Sequence, residues 1–321
     1  MAFRVSKPGG PDALVWEEVP LADPAPGEVL IRHTAIGVNF IDIYQRAGLY
    51  KLDLPFTPGS EGAGVVEAVG ASVADLEPGD RVAYPDAIGA YCERRVIPAA
   101  KLVKLPDEID DSVAAAAMLK GLTVEYLLRR AHRLTAGETV LFHAAAGGVG
   151  LIAGQWASAI GATVIGTVGS EDKAALARRH GYQHVINYGT EDFVARVKEI
   201  TGGRGVDVAY DSVGKDTFPG SLDVLKPRGM WVPFGQSSGP VPAFSPFELL
   251  WRGSLFMTRP RLGDYIADRS ELEAAAAALF GMICSGKVRI AANQTFPLAR
   301  AADAHRAIEA RSTTGATILI P

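Results

Sequence analysis

Residues 139–150 read TVLFHAAAGGVG, and the elements around them follow from this stretch. Its first five residues are β-branched, apolar or aromatic, and they predict a buried strand, Thr139–His143. Apolar residues from Val149 to Ile160 then recur at the spacing of one buried helical face, and Gly161 stands where a C-cap glycine is expected. A second strand, Thr163–Thr167, comes next. The stretch therefore predicts a βαβ unit.

The turn of this unit carries small residues at the spacing Ala145-x-Gly147-x-x-Gly150. This is a variant of the dinucleotide-binding fingerprint with alanine in place of the first glycine. Gly147 lets backbone amides approach a pyrophosphate, and Gly150 lets helix and sheet pack closely at a positive helix N-terminus. The turn therefore predicts a dinucleotide site; the alternative is a glycine-rich turn with no ligand.

The end of the second strand indicates which dinucleotide is used. An NAD site usually places an acid there, about 20 residues after the fingerprint, to bind the ribose 2′-hydroxyl. Here residues 167–170 carry no charge, and Glu171 and Asp172 fall in the first turn of the next helix, where acids are common. Lys173 follows, and a cation with a hydroxyl suits a 2′-phosphate. NADPH is favoured, although Lys173 alone could be a solvated helix lysine.

Composition excludes several classes of protein. The chain has 321 residues, 48% of them hydrophobic, and a net charge of −4. It contains no apolar run of membrane-spanning length and no signal-peptide core at its start, so we expect a soluble cytoplasmic protein. Cys92 and Cys284 belong to no CxxC or Cys/His cluster, which predicts reduced thiols and no structural zinc. Scattered basic residues argue against nucleic-acid binding.

Short β-like runs separated by Pro and Gly fill the first hundred residues and suggest a compact barrel-like domain. The runs are Phe3–Val5, Glu28–Thr34, Gly64–Val69, Arg81–Tyr84 and Tyr91–Ile97. A helical segment, Asp107–Leu128, leads through Gly121 into the second domain.

After the βαβ unit, strands and helices alternate as in a doubly wound parallel sheet. The predicted strands are His184–Asn187, Val206–Asp211, Met230–Phe234 and Ser254–Thr258, and the helices are Asp172–His180, Glu191–Thr201 and Asp216–Leu225. Two further helices, Ser270–Ser285 and Ala299–Ala310, precede a last strand, Ala316–Ile320, that we expect to return to the first domain. The Rossmann domain would then be inserted in a discontinuous substrate domain.

An ordered set of motifs resembles the zeta-crystallin-like quinone oxidoreductases, zinc-free members of the medium-chain dehydrogenase/reductase superfamily. The set consists of Asn39, Gly59-Ser60-Glu61-Gly62-Ala63-Gly64, Gly121-Leu122-Thr123, residues 144–150, Tyr210-Asp211-Ser212-Val213-Gly214 and Thr258-Arg259-Pro260. The resemblance covers nearly the whole chain. It implies an α/β fold, with a Rossmann domain (123–260) inserted in a GroES-like, barrel-containing catalytic domain (1–122 and 261–321).

The resemblance also implies that no zinc is bound. Zinc alcohol dehydrogenases of the superfamily carry Gly-His-Glu where this chain has Gly59-Ser60-Glu61, and their first cysteine ligand falls near Asn39. A serine and an amide cannot build a Cys/His zinc site. Glu61 would then be structural rather than catalytic.

The resemblance places the cofactor contacts, including Asn39 and Tyr44, and the chemistry of the side chains adds Tyr50 to the reacting site. Asn39, Tyr44 and Tyr50 are the expected catalytic residues, with Asp42 either a member of that set or a helix-turn acid. Besides Asn39 and Tyr44, the expected NADPH contacts are Tyr126, Gly147, Gly148, Val149, Gly150, Gly169, Ser170, Lys173, Tyr188, Ser212, Phe234, Gly235, Gln236, Ser237, Pro260, Arg261, Leu262 and Arg311. Without the family, the tyrosines are equally well explained as packing residues and Arg311 as a helix C-terminal cation.

The leading hypothesis is NADPH-dependent reduction of quinones without a metal. No hydrolase elbow, Tyr-x-x-x-Lys pair or His-Glu-x-x-His motif is present, and a flat conjugated acceptor needs mainly positioning. Asn39 can donate to a quinone or nicotinamide oxygen, and Tyr44 and Tyr50 can stack and donate. One alternative is an alkenal or enone double-bond reductase; another, of a different class, is an RNA-binding or crystallin-like structural protein. We expect a small-molecule substrate and a homodimer formed through the apolar edge strand Ser254–Thr258.

Overall fold

The computed structural model describes residues 1–321 and contains two compact units. The first unit comprises Met1–Leu122, Tyr265–Cys284 and Ile290–Pro321; the second comprises Thr123–Asp264 and Ser285–Arg289. Gln155 ties the short second segment into its unit, because its side-chain amide exchanges hydrogen bonds with the backbone N–H and C=O of Arg289 at 2.9 and 3.0 Å. No helix combines the length and the apolar composition needed to cross a bilayer.

The second unit contains a six-stranded parallel sheet in the order β10-β9-β8-β11-β12-β13. Its strands are β8 (Thr139–Phe142), β9 (Thr163–Val168), β10 (His184–Asn187), β11 (Val206–Asp211), β12 (Leu225–Pro233) and β13 (Phe256–Met257). Its helices are α3 (Gly148–Ile160), α4 (Glu171–Arg178), α5 (Phe193–Ile200), α6 (Gly220–Asp223), α7 (Phe247–Trp251) and α8 (Leu262–Tyr265), the last ending at the unit boundary. The strand order reverses between β8 and β11, as in the predicted Rossmann fold.

The first unit is built on a seven-stranded sheet in the order β14-β15-β3-β4-β5-β7, with β6 paired to β3. The sheet contains β3 (Glu28–Val38), β4 (Glu61–Val69), β5 (Arg81–Tyr84), β6 (Arg94–Pro98), β7 (Val103–Lys104), β14 (Ala292–Pro297) and β15 (Ala316–Ile320). Two further strands of the unit, β1 (Ala2–Arg4) and β2 (Val15–Glu17), form a separate two-stranded sheet. The helices of the unit are α1 (Phe40–Arg46), α2 (Asp111–Tyr126, which continues into the second unit), α9 (Arg269–Cys284) and α10 (Ala301–Glu309). The prediction that the last strand returns to the first domain is confirmed, because β15 pairs antiparallel with β3.

Several predicted elements were wrong in extent. β3 continues four residues beyond Thr34, because its second half pairs with both β4 and β15. The predicted strand Tyr91–Ile97 begins only at Arg94. The predicted helix Asp216–Leu225 shrinks to α6, preceded by Pro219, and Leu225 already belongs to β12. Ser254–Thr258 contributes only two residues to the sheet.

The predicted helical segment around Gly121 is confirmed as one continuous helix, α2 (Asp111–Tyr126), although it begins four residues later than predicted. A Cβ at Gly121 would lie 2.5 Å from Leu279 Cδ1, so a larger residue here would force the Leu279 side chain on α9 to shift.

Candidate active site

The segments of the second unit that are predicted to bind the cofactor follow the carboxyl ends of all six of its strands. Because the strands are parallel, those ends lie at one edge of the sheet, where ligands of such folds bind. Residues 147–150 follow β8, residues 169–173 follow β9, Tyr188 follows β10, Ser212 follows β11, residues 234–237 follow β12 and residues 260–262 follow β13.

The glycine turn after β8 has the geometry of a phosphate loop. A Cβ on Gly150 would lie 2.4 Å from the Ala144 carbonyl oxygen, so only glycine permits this approach. Gly147 is the N-cap of the thirteen-residue α3 and supplies no side-chain cap, which leaves the first amides of α3 for a ligand. Ala144, just before the fingerprint position Ala145, has the left-handed backbone conformation of a sharp turn, with φ of 55°.

The end of β9 is organised by Ser170, Glu171 and Tyr188. Ser170 caps α4, its Oγ accepting from the Lys173 backbone N–H at 3.4 Å. Glu171 accepts a hydrogen bond from Asn187 Nδ2 at 2.9 Å. Tyr188 is 48% exposed, and its hydroxyl lies 2.8 Å from where a Gly169 Cβ would be. The Tyr188 hydroxyl therefore lies beside Gly169, next to Ser170 in the chain, and Lys173 lies in the first turn of α4.

Asp211, the last residue of β11, belongs to the motif 210–214, but the sequence did not indicate what its carboxylate contacts. It is fully buried and its carboxylate accepts from the N–H groups of Val213 (2.8 Å) and Gly214 (3.1 Å), from Thr217 and Ser221 hydroxyls (2.7 and 2.8 Å) and from Trp231 Nε1 (3.4 Å). Burial opposes ionisation, but His143 and these donors hold the pKa of Asp211 below its usual value. Its signal in the sequence is a lone acid that ends an apolar strand.

The loop after β11, residues 212–214, supports the loop after β12, residues 234–238, at the same edge of the sheet. The Ser237 and Ser238 amides donate to the carbonyls of Ser212 and Val213 at 3.1 and 2.9 Å. A Cβ on Gly235 would lie 2.7 Å from the Ser212 carbonyl oxygen. The loops after β11 and β12 therefore form one hydrogen-bonded surface that Asp211 holds in place.

In the first unit, Asn39 is the N-cap of α1 and is 7% exposed. Its side-chain Nδ2 donates to Glu61 Oε1 at 2.8 Å, and its backbone N–H donates to Asp42 Oδ2 at 2.9 Å. Asp42 is fully buried and also accepts from Ser60 Oγ at 2.8 Å and Tyr91 at 3.1 Å. Of the two roles considered for Asp42, these contacts are those of the helix-turn acid. Burial raises the pKa of Asp42 to about 6, although the Ser60, Asn39 and Tyr91 donors oppose the rise.

A buried chain of hydrogen bonds extends from Asp42 to α10. Arg46 Nη1 lies 3.0 Å from His305 Nδ1, and Tyr91 Oη lies 2.9 Å from His305 Nε2. Because arginine only donates, Nδ1 must accept, and the neutral imidazole carries its proton on Nε2. Burial, with Arg46 alongside, lowers the pKa of His305 to about 3, so it is neutral at pH 7. The chain fixes the Ser60–Glu61 strand start and α1 to the C-terminal helix.

Tyr44 and Tyr50 are in contact with each other, whereas Tyr126, Arg261 and Arg311 lie on three other segments of the chain. The Tyr44 and Tyr50 rings meet edge to face, with centroids 5.4 Å apart, and Phe40 lies 6.1 Å from Tyr44. Tyr50 is 36% exposed. Tyr126 is the buried last residue of α2, Arg311 follows α10 in the first unit, and Arg261 pairs with Asp264 at 2.8 Å.

Comparison with known proteins shows the family. Residues 25–107 match the family described as Alcohol dehydrogenase GroES-like domain, and residues 148–280 match Zinc-binding dehydrogenase. Quinone oxidoreductase of Pseudomonas aeruginosa is 53% identical over 98% of this chain and 97% of its own length. The chain belongs to the quinone oxidoreductase family.

Two further relatives bear on the chemistry of this family. The crystal structure of Escherichia coli quinone oxidoreductase complexed with NADPH is similar with a TM-score of 0.97 and 49% identity, covering 100% of this chain and 99% of that one. 2-Haloacrylate reductase of a Burkholderia species is 48% identical over 100% of this chain and 99% of its own length. The predicted family and fold class, a Rossmann domain with a GroES-like domain, are confirmed.

Although one matching family is named for zinc, the residues that this chain has at the zinc-ligand positions do not fit that metal. Glu61 already accepts from Asn39 Nδ2, from the Leu119 backbone N–H at 2.7 Å and from Lys120 Nζ at 2.5 Å. Ser60, next to it, donates to Asp42. Three or more His, Cys, Asp or Glu side chains do not converge anywhere in the structure as a metal site would require. The Lys120 ammonium group therefore occupies the side of the Glu61 carboxylate that a zinc ion would have to approach.

Proposed function

We propose that this protein reduces quinones with NADPH and without a metal. The observation that carries the proposal is the convergence of the second unit's predicted cofactor segments at the carboxyl edge of one parallel sheet, around a glycine turn that leaves the α3 amides open. The family relation and the NADPH complex of the Escherichia coli relative support it. NADPH supplies the reducing equivalents when it is bound.

The residues divide by task. Residues 147–150 would hold the pyrophosphate, and Gly169, Ser170, Lys173 and Tyr188 the 2′-phosphate. Tyr126, Ser212, residues 234–237, residues 260–262 and Arg311 would contact the remaining parts of the cofactor. Asn39, Tyr44 and Tyr50 would orient the acceptor by hydrogen bonds and stacking, which are the contributions that a flat conjugated substrate needs.

The test is a panel of acceptors with NADPH oxidation as the readout. 1,4-Benzoquinone and naphthoquinones should be reduced, and exhaustive chelation beforehand should leave the rate unchanged. A second candidate, reduction of a conjugated carbon–carbon double bond, is favoured by the 48% identity to 2-haloacrylate reductase, so the panel includes 2-chloroacrylate and an enone. Faster turnover of either than of every quinone would replace the quinone proposal.

Lys173→Ala should weaken NADPH binding and leave NADH binding nearly unchanged. A charge-assisted hydrogen bond contributes about 1.5 to 3 kcal/mol, so the Kd for NADPH should rise roughly 10- to 100-fold. Fluorescence titration with both cofactors measures this, and Lys198→Ala on the exposed side of α5 is the control. Equal losses for the two cofactors would show that Lys173 does not select the phosphate.

Tyr44→Phe and Tyr50→Phe should each lower quinone turnover about 10-fold, because each keeps the ring contact and removes one hydroxyl donor. Steady-state kinetics with 1,4-benzoquinone provides the measurement. Tyr84→Phe is the matched control, since the Tyr84 hydroxyl is buried and bonded to His33 at 2.7 Å. Full turnover in both site variants would place the acceptor elsewhere.

We further propose a homodimer that forms through β13, and a cytoplasmic location in keeping with the free thiols of Cys92 and Cys284. β13 ends the sheet of the second unit, and its Phe256 and Met257 are 58% and 40% exposed. On α7 of the same unit, Trp251 is 77% exposed. An open apolar sheet edge favours pairing with a second copy.

Phe256→Lys should convert the proposed dimer into a monomer, because a charge would be buried in the paired edge. Light scattering after size exclusion should give twice the chain mass for the unmodified protein at micromolar concentration and the chain mass for the variant. Ile88→Lys, at an exposed apolar residue of the first unit, is the control. A monomeric unmodified protein would refute the dimer.

A further inference from the structure

Glu61 carries a buried charge whose only cationic contact is Lys120. The Glu61 side chain is 0% exposed and that of Lys120 is 6% exposed, and their ion pair is 2.5 Å long. A buried carboxylate is stable as an ion only when a counterion and hydrogen-bond donors face it. Here the ammonium group and the Asn39 amide approach the same oxygen, Oε1, while the Leu119 backbone N–H occupies Oε2.

These contacts determine which way the Asn39 carboxamide faces. Lysine only donates, so it keeps Glu61 in the ionised form, which only accepts. An Asn39 oxygen turned toward Glu61 would meet a carboxylate with no proton to share. Nδ2 must therefore face Glu61, and Oδ1 faces the first turn of α1, where the capping box places it toward the Asp42 backbone N–H.

We propose that Lys120 and Glu61 are positioning residues, which hold the Asn39 carboxamide in the single orientation that serves the acceptor. This inference rests on the proposed function, in which Asn39 contacts the quinone. Lys120 supplies the positive charge at the carboxylate without a metal, so the site needs no zinc to remain ordered. Turning the amide over would exchange an oxygen for an NH₂ group about 2.2 Å away. A displacement of about 1 Å in a positioning group can lower a rate about 100-fold.

The double variant Glu61→Gln with Lys120→Met tests the proposal. It removes both charges together, so no uncompensated ion is buried. The introduced glutamine has a single side-chain oxygen, which the Leu119 N–H needs, and its NH₂ group is therefore left facing Asn39. Asn39 must then turn its Oδ1 toward that NH₂ group, and the orientation reverses while the hydrogen bond between residues 39 and 61 is kept.

We expect the double variant to melt within a few degrees of the unmodified protein, to show a kcat for 1,4-benzoquinone at least 10-fold lower, and to bind NADPH with a Kd that changes far less than kcat does. Lys120→Met alone should also lower kcat and should melt much earlier, because it leaves Glu61 buried without a counterion. Arg81→Met with Asp111→Asn is the matched control, since it removes a partly buried ion pair of 2.7 Å in the same unit.

The results separate the inference from the proposed function. A double variant with unchanged kcat, or one whose kcat falls only in proportion to its folded fraction, overturns the positioning role. Asn39→Ala is measured in the same series. If Asn39→Ala also keeps full turnover, the assignment of Asn39 to the acceptor site fails; if it loses turnover while the double variant does not, only the positioning role fails.

Discussion

Asp211→Ala is expected to lower the free energy of unfolding of the second unit by about 4 kcal/mol or more. The substitution strands the N–H groups of Val213, Gly214 and Trp231, which have the carboxylate as their partner. Each buried donor left without an acceptor costs about 1 to 3 kcal/mol. The Thr217 and Ser221 hydroxyls lose less, because each also lies near a backbone carbonyl, at 3.0 and 3.2 Å.

Urea unfolding followed by tryptophan fluorescence measures the effect, since Trp231 lies in the same network. Asp211→Asn should cost only about 1 to 2 kcal/mol, because its Oδ1 still accepts from the two loop amides, the hydroxyls can reverse to accept from its NH₂ group, and only the Trp231 N–H, at 3.4 Å, loses its acceptor. Asp172→Ala, at an exposed position in α4, is the control. The network would carry little of the stability if Asp211→Ala unfolded within about 1 kcal/mol of the control.

The same substitution should also weaken NADPH binding, since the Asp211 loop supports the loop after β12 through the Ser237 and Ser238 amides. Asp211→Asn keeps the acceptor oxygen for Val213 and Gly214, so its cofactor affinity should stay near that of the unmodified protein. The pair of variants thus distinguishes loop support from simple loss of charge.

Local patterns predicted the second unit well because its determinants are close in sequence. The strand, glycine turn and helix from Thr139 to Ile160 are each specified by residues within one turn or one strand of each other. The left-handed conformation of Ala144 was not predicted, because nothing marks it in an Ala-Ala-Ala run. The family motifs, which span the whole chain, then predicted the fold class.

The features that the sequence did not predict depend on contacts between residues far apart in the chain. Glu61 reads as an isolated acid between glycines, and its partner Lys120 lies 59 residues away on α2. His305 and Arg46, in direct contact, are separated by 259 residues. The continuation of β3 through Gly37 is equally hidden, since β15, far along the chain, supplies its partner. Spacing rules act within about ten residues, so such pairs emerge only from the folded chain.

Two buried histidines of the first unit make its stability sensitive to acid. Burial lowers the pKa of both His33 and His305 to about 3, with Arg95 and Arg46 respectively adding to the effect. In the unfolded chain a histidine titrates near 6.5. Below about pH 6.5 the unfolded chain therefore binds protons at these histidines and the folded unit does not. The free energy of unfolding that they contribute is complete above this pH and is lost as pH falls toward about 3.

Asp42 acts in the opposite direction. Its pKa is raised to about 6, so the folded unit binds a proton before the unfolded chain does, and stability is gained as pH falls from about 6 to 4. Between about pH 7 and pH 5 each histidine costs about 2 kcal/mol and Asp42 returns about 1 kcal/mol. The net expectation is a loss of about 3 kcal/mol.

His305→Gln isolates one of these terms. Glutamine can accept from Arg46 through its oxygen and donate to Tyr91 through its nitrogen, as the neutral imidazole does, but it does not titrate. Urea unfolding at pH 7 and pH 5 should therefore show a loss about 2 kcal/mol smaller in the variant than in the unmodified protein. His184→Gln, at an exposed position, should leave the pH dependence unchanged. If His305→Gln retained the full acid sensitivity, the neutral buried imidazole would not be its source.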